Sequence, residues 1–341
     1  MSESYSPRLV VTVDTEEDNW EPSRDDISVE NIRHVSAFQE RMEKLGVRPT
    51  YLVTYQVASV PWAADLLADL HHAGRAEVGA HLHPWNTPPL REPMELHYHL
   101  FRNLSPELQR EKLSSLFSRI RSELDVQPLS FRSGMWSLSR EAVGLLLAEG
   151  IEVDTSVLPY MYWHDVPYSP SYVRAPAEPY RLARGGSLQR HHADGELLEV
   201  PATAGYTRGL WRLWGPVDRF FRTRPMVPLH VPGILARLGL VERIALTPET
   251  TPFEKMLELT ASAVRRGLPV LNVFLHSNSL LPGATDYVCT VEEREAMLER
   301  MERYLRKVLG KYGAQPGTLS EVARSVSDSS SACNPEGRKG R

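Results

Sequence analysis

The stretch AEVGAHLHPW, residues 76–85, is an apolar segment of strand length that ends in His81 and His83, one residue apart, just before Pro84. Residues i and i+2 of a strand project to one face, so two imidazoles at this spacing can converge on one ion if a carboxylate faces them. The segments around this stretch decide the architecture. RLVVTVD (8–14) and TYLVTY (50–55) are earlier strand candidates. Helical spacing separates them from Ile32 to Leu45, where Gly46 stops it, and Trp62 to His72 forms the next helix, ending near Gly74. The order to this point is β, α, β, α, β.

The alternation continues through most of the chain. A long helix from about Pro106, capped by Ser105, leads to PLSFRS (128–133), and Glu141 to Glu149 with Gly150 behind it leads to IEVDTSV (151–157). LLEVPAT (197–203) and VLNVFLHS (270–277) repeat the strand signature. Thr251 with Glu254 and Thr290 with Glu293 match the Ser/Thr-x-x-Glu capping box and are expected to open the helices on either side of VLNVFLHS. Such alternation implies parallel strands with right-handed crossovers, as a doubly wound sheet or a barrel, with chemistry at the C-terminal ends of the strands. Pro159 to about Glu249, rich in Pro, Tyr, Arg and Trp, breaks the rhythm and reads as an irregular insertion across the mouth of a barrel. Residues 1–326 are expected to form one domain, and Ser327–Arg341, without apolar anchors, a disordered tail.

Composition narrows the class. The 341 residues are 42% hydrophobic with a formal net charge of −4, which gives no broad basic field for nucleic acid and no bias toward membrane surfaces. Two cysteines, Cys289 and Cys333, support neither a disulfide framework nor a cysteine metal site. No stretch approaches the roughly eighteen apolar residues needed to span a bilayer, and MSESYSPRLVVTVD lacks a basic segment followed by a long apolar one. The expectation is a soluble cytoplasmic protein.

Ionisable residues stand at the ends of the strand candidates: Asp14 to Asp18 in VDTEED, His81 and His83, Arg132 in FRSG, Asp154 in VDTS and His276 in FLHS. Singly each has a duller use, as helix cap, turn former, surface cation or core histidine. In a parallel barrel these ends meet around one mouth, and together they have the composition of an active site. Two histidines and a carboxylate leave open positions on a divalent ion, a second carboxylate can act as general base, and a histidine across from it can protonate a departing amine. Arg132 near the base would keep it ionised, and Asp154 beside His276 would raise the imidazole's pKa and fix its tautomer.

In this order the motifs resemble those of the polysaccharide deacetylases, carbohydrate esterase family four of the NodB-homology superfamily. VDTEED resembles the first acidic motif, EVGAHLHP the histidine motif, FRSG the arginine motif, VDTSVLP the Asp-x-Ser-x-x-Pro motif and FLHS the closing histidine motif, over Leu9 to Ser277. The resemblance implies a distorted (β/α)7 barrel, a zinc-type ion (Co2+, Ni2+ or Fe2+ being alternatives), and removal of an N-acyl, usually acetyl, group from an amino sugar. It implies Asp14 as base, Glu16, His81 and His83 as metal ligands, Arg132 steadying Asp14, and Asp154 supporting the acid His276. Same-face spacing with Asp14 favours Glu16 as the acidic ligand, with Glu17 and Asp18 as alternatives, and His97 or His99 could stand in for His83. The aromatic side chains behind the motifs, Trp85, Trp136 and Tyr160 foremost, suit the apolar faces of a sugar. The competing readings are a hydrolase of a cyclic imide or ureide, a decayed carbohydrate-binding protein, and a non-haem iron oxygenase.

Overall fold

A computed structural model describes residues 6–163, 169–209, 211–221, 226, 230–232, 234 and 242–332, with the side chains of 326–332 left aside. Its strands are β1 (Arg8–Thr15), β2 (Thr50–Val53), β3 (Glu77–Leu82), β4 (Ser130–Ser133), β5 (Val153–Asp154), β6 (Tyr180–Leu182), β7 (Leu197–Glu199), β8 (Ala204–Tyr206), β9 (Arg243–Ala245), β10 (Val270–His276) and β11 (Gln315–Pro316). The main sheet runs β10-β1-β2-β3-β4-β5-β7-β6, with β11 beside β1. From β10 to β7 every pairing is parallel, which makes seven strands of like direction, and β6 alone turns back antiparallel on β7. The sheet curls into the open (β/α) barrel that the motif order implies.

The curl closes through a loop rather than a strand. Thr203 donates its N–H to the Asn272 carbonyl (3.1 Å) and accepts the Asn272 N–H on its hydroxyl (2.8 Å), so the chain leaving β7 pairs with β10 across the gap. Inside, Asn272 binds the hydroxyls of Thr12 and Thr155, a polar belt below the mouth. The opposite end is apolar, filled by Val10, Val153, Leu198, Val200 and Val270. Leu319, Val322 and Ala323, from the helix Leu319–Ala332, plug it. That helix starts where it does because a strand residue caps it: Glu77 accepts the Ser320 N–H at 2.9 Å.

Helices coat the outer face of the sheet. Pro106–Leu124 begins with Ser105 accepting the Leu108 N–H, and it buries Leu113, Leu116, Phe117, Ile120 and Leu124 at helical spacing. Each such side chain contributes about 1.5–3 kcal/mol by leaving water. Asp125, in the left-handed region at φ 52°, ends the helix. The capping box at Thr290 and Glu293 opens the helix Val291–Tyr312 as expected.

Three expectations are corrected. The helix near Thr251 begins at Phe253 with Pro252, which has no side-chain acceptor, at its N-cap, while the Thr251 hydroxyl donates to the Ala245 carbonyl (2.8 Å). Segment 159–249 is less irregular than its composition suggests. Its described residues supply β6 to β9 and the helix Trp211–Phe221. The stretch read as a disordered tail continues the last helix as far as Ala332, while Cys333–Arg341 lies outside the described residues.

Candidate metal centre

β1, β2, β3 and β4 lie side by side in register, so Asp14 stands level with His276 on β10, and His81 level with Arg132 on β4. This register brings four of the motifs, those of Asp14, His81 and His83, Arg132 and His276, to one rim. The Glu16 carboxylate oxygen Oε2 lies 3.1 Å from His83 Nε2 and 3.6 Å from His81 Nε2, and the two Nε2 atoms are 3.1 Å apart. All three residues are buried. Among the described residues this is the one group of His, Cys, Asp or Glu side chains close enough to share an ion.

The acids after Asp14 divide three tasks between them. Glu16 faces the imidazole pair, its other oxygen accepting from Asn278 Nδ2 at 3.1 Å. Glu17 accepts from His83 Nδ1 at 2.9 Å and from the Asn86 amide. Asp18 turns away and accepts the N–H groups of Glu30 and Asn31, capping the short helix Glu30–His34. His97 and His99 are not in the cluster; His99 stands edge-on to Trp85, outside it.

The donor set fits a divalent cation. His81 Nδ1 donates to the Arg132 carbonyl (3.0 Å) and His83 Nδ1 to Glu17, so in the neutral rings both Nε2 lone pairs point at each other and at a carboxylate. Three acceptors facing one another without a donor are stable only around positive charge. The same field acts on protons. Burial would lower the His83 pKa, but Glu17 and Glu16 outweigh it and push it up to about 10. Burial raises the Glu16 carboxyl, yet hydrogen bonds from His81 and His83 hold it well below the usual carboxylate range. Gly134 allows the ring its place, since a Cβ there would overlap His83 Cδ2 and the Leu82 carbonyl oxygen.

Asp14 and His276 flank this cluster. Arg132, 1% exposed, donates Nη1 to Asp14 Oδ1 (2.6 Å), Nη2 to the Thr12 hydroxyl (2.8 Å) and Nε to the Thr155 carbonyl (3.0 Å). A buried guanidinium so satisfied fixes the orientation and charge of the carboxylate. The second Asp14 oxygen, Oδ2, lies 3.9 Å from His276 Nε2. On the far side of that ring, Nδ1 lies 3.1 and 3.0 Å from the two oxygens of Glu249. Burial lowers the His276 pKa, but Glu249 overcomes it and lifts it to about 10.

Asp154 does not support His276 as the motif implies. It accepts from the N–H and hydroxyl of Ser156 and faces Glu199, its register partner on β7. Burial raises the pKa of both carboxyls, and the neighbouring charge of Asp154 raises that of Glu199 further. Glu249 is the residue that sequence reasoning missed. It follows β9 in the LTPET stretch (246–250), assigned to the insertion, and its one visible sign is an acid just past a short apolar run.

A cavity of about 280 Å3 opens over these groups, with Trp20, Trp85, Met135 and Trp136 among its walls. Trp85 stacks on His83 (4.2 Å between ring centroids) and Trp20 stands edge-on to His276 (5.3 Å). Tyr160 does not line it. Its left-handed backbone, φ 62°, turns the ring into the core against Tyr206 and Trp211. Larger cavities of about 560 and 580 Å3 adjoin Tyr160 and Arg212 and hold none of Asp14, Glu16, His81, His83, Arg132 and His276.

No protein-family model matches the chain, and no curated protein matches it. Solved structures do. A Mycobacterium smegmatis protein assigned as a polysaccharide deacetylase is 14% identical with a TM-score of 0.55, covering 100% of this chain and 96% of that one. The CE4 domain of a multidomain xylanase from the hindgut metagenome of Trinervitermes trinervoides is 10% identical, TM-score 0.43, over 94% and 92% of the two chains. A CE4 family pseudoenzyme from Bacillus anthracis is 11% identical, TM-score 0.45, over 94% and 66%. The likeness to the first establishes the fold. A shared fold does not carry an activity, which has to be argued from the side chains.

Proposed function

We propose that the chain is a metal-dependent hydrolase that removes an N-acyl group, most simply acetyl, from an amino sugar. The observation that supports this most is the placement of Asp14, clamped by Arg132, and His276, backed by Glu249, beside one Glu16–His81–His83 cluster. A binding protein needs neither a base nor an acid there. Glu16, His81 and His83 would hold the ion, and when bound it would supply Lewis acidity to a substrate carbonyl. Zinc suits two imidazoles and one carboxylate.

The chain's own groups supply the proton transfers. Asp14 takes a proton from the attacking water as its oxygen bonds to the acyl carbon. Arg132 keeps that carboxylate ionised and aimed. His276 gives its Nε2 proton to the nitrogen as the carbon–nitrogen bond breaks, so the sugar leaves as an amine and the acyl group as a carboxylate. Glu249 holds His276 in the protonated form until then. Trp85 and Trp136 present flat apolar faces that suit the C–H face of a pyranose. We assign this work to one catalytic domain, residues 1–326, acting in the cytoplasm.

Metal analysis of the purified protein, joined to measurement of acetate released from a panel of N-acetylated amino sugars beside cyclic imides, tests the reading. One equivalent of a divalent ion, acetate from a sugar, and an Asp14→Asn variant that keeps the ion but loses turnover are expected. Full activity of Asp14→Asn, or hydrolysis of imides alone, overturns it.

A further inference from the structure

The segment that follows the histidine motif, PWNTPPLRE (84–92), forms neither helix nor strand, yet Pro84 to Thr87 are buried. Buried carbonyls without a regular partner need donors from elsewhere in the fold. Lys112, on the helix Pro106–Leu124 and 0% exposed, places Nζ 2.8 Å from the Pro84 carbonyl, 2.6 Å from that of Thr87, 2.8 Å from that of Pro89 and 3.0 Å from Glu92 Oε1. Arg24, in the loop that follows β1, donates Nε to the Trp85 carbonyl (2.7 Å) and Nη2 to the Glu92 carbonyl (2.9 Å) and to the same Oε1 (2.8 Å). One carboxylate oxygen thus joins two cations, and together they shape the loop.

A buried ion pair of this kind is often no more stabilising than well-packed apolar side chains would be. Leu113, Leu116 and Phe117 show what the buried face of the same helix otherwise carries. What the network provides is one arrangement of the loop, and the consequence falls on Trp85. Its ring lies stacked on the His83 imidazole, with 4.2 Å between centroids and 23° between planes, and both rings line the cavity over the metal-binding cluster. Glu17 fixes one nitrogen of the His83 ring and Trp85 covers one face of it. Arg24 also ties the loop after β1, whose Trp20 and Pro22 wall the same cavity, to the loop after β3. Asn86 has separate support, its carbonyl accepting from Gln56 Nε2 at 2.8 Å.

We infer that Arg24, Glu92 and Lys112 are positioning residues of the catalytic cavity. They fix Trp85, and through it the pose in which His83 offers Nε2 to an ion and the wall on which a sugar ring would rest. None of the three lines the cavity, so each acts through Trp85. The inference rests on the proposed function for its ion and its sugar, whereas the stacking of Trp85 on His83 depends on neither.

Two measurements test this without turnover: NMR of the carbon-bound ring protons of His83 in the metal-free protein, and calorimetric titration with zinc. The stacked indole should hold those protons upfield, and Trp85→Ala should remove the shift. Arg24→Gln, at a partly exposed position, and Glu92→Gln, which keeps the side-chain shape, should each remove most of it while circular dichroism stays unchanged. Arg24→Gln and Trp85→Ala should each weaken zinc binding roughly 10-fold, as loss of an outer partner of a metal ligand does. The double variant Arg24→Gln/Trp85→Ala should bind zinc no more weakly than Trp85→Ala alone, because both changes remove one contact. A full upfield shift in Arg24→Gln and Glu92→Gln, or losses that multiply to about 100-fold in the double variant, overturns the inference. If the parent protein binds no zinc, the proposed metal site fails and the ring-proton shift still decides the positioning role. If it binds zinc and releases no acyl group, the proposed hydrolysis fails and both readouts stand.

Discussion

His276 Nδ1 lies 3.0 and 3.1 Å from the two carboxylate oxygens of Glu249, while its Nε2 faces Asp14 across the cavity. Glu249 therefore sets both the orientation and the proton affinity of the ring. Glu249→Gln removes the charge and keeps the shape. Its kcat should fall on the order of 100-fold or more, and the alkaline limb of the pH profile should move down toward the ordinary histidine range. Asp154→Asn should leave the His276 titration, followed by its ring-proton resonance, where it was. Equal effects of the two variants on that titration would return the supporting role to Asp154.

The three acids in sequence separate by what each variant loses. Glu16→Ala should abolish stoichiometric metal binding, measured by elemental analysis after gel filtration. Glu17→Gln should keep the site but weaken metal affinity by roughly 10–100-fold, because the His83 ring loses its anchor. Asp18→Ala should bind metal normally and lose about 1 kcal/mol of stability, the usual effect of removing a cap.

The fold and the metal-binding triad were legible because each motif residue sits on a regular strand whose register the apolar pattern reveals. His81 and His83 converge because β3 alternates, and Asp14 meets Arg132 because parallel strands align their ends. Glu249 and Tyr160 were not legible for the opposite reason. They lie in short turns of segment 159–249, where position follows from left-handed backbone and from long-range packing rather than from a period. Asp154 was misread because a strand end can face either an interior carboxyl or the rim, and the parallel partner Glu199 comes from a strand about forty-five residues later.

Gly134 is the position where backbone decides whether the cluster can form. A Cβ added there would run into the His83 ring and lie 2.7 Å from the Leu82 carbonyl oxygen. Neither can give way freely, since His83 is held by Glu17 and Trp85 and the carbonyl belongs to β3. Gly134→Ala should weaken metal binding at least about ten-fold and lower stability by roughly 1–3 kcal/mol, as overpacking does. Normal metal affinity, read by calorimetric titration, would show that the ring has room to move.

The two raised imidazoles tie stability of the metal-free protein to pH. His83 and His276 both stand near 10 in the folded chain, above the ordinary value of 6.5. A group whose pKa is raised by folding binds its proton more tightly in the native state, so its stabilisation is complete below 6.5 and disappears as pH rises through 10. After chelation, the thermal midpoint should therefore fall between pH 6.5 and 10, by about 5 °C or more. Glu249→Gln should flatten the part of that slope due to His276, since Glu249 is the largest influence raising its pKa. Added zinc should flatten the part due to His83, because the ion takes the place of the proton on Nε2. A midpoint that does not change over this range, or a slope that neither Glu249→Gln nor zinc alters, would mean that neither ring carries the charge that the cavity geometry assigns to it.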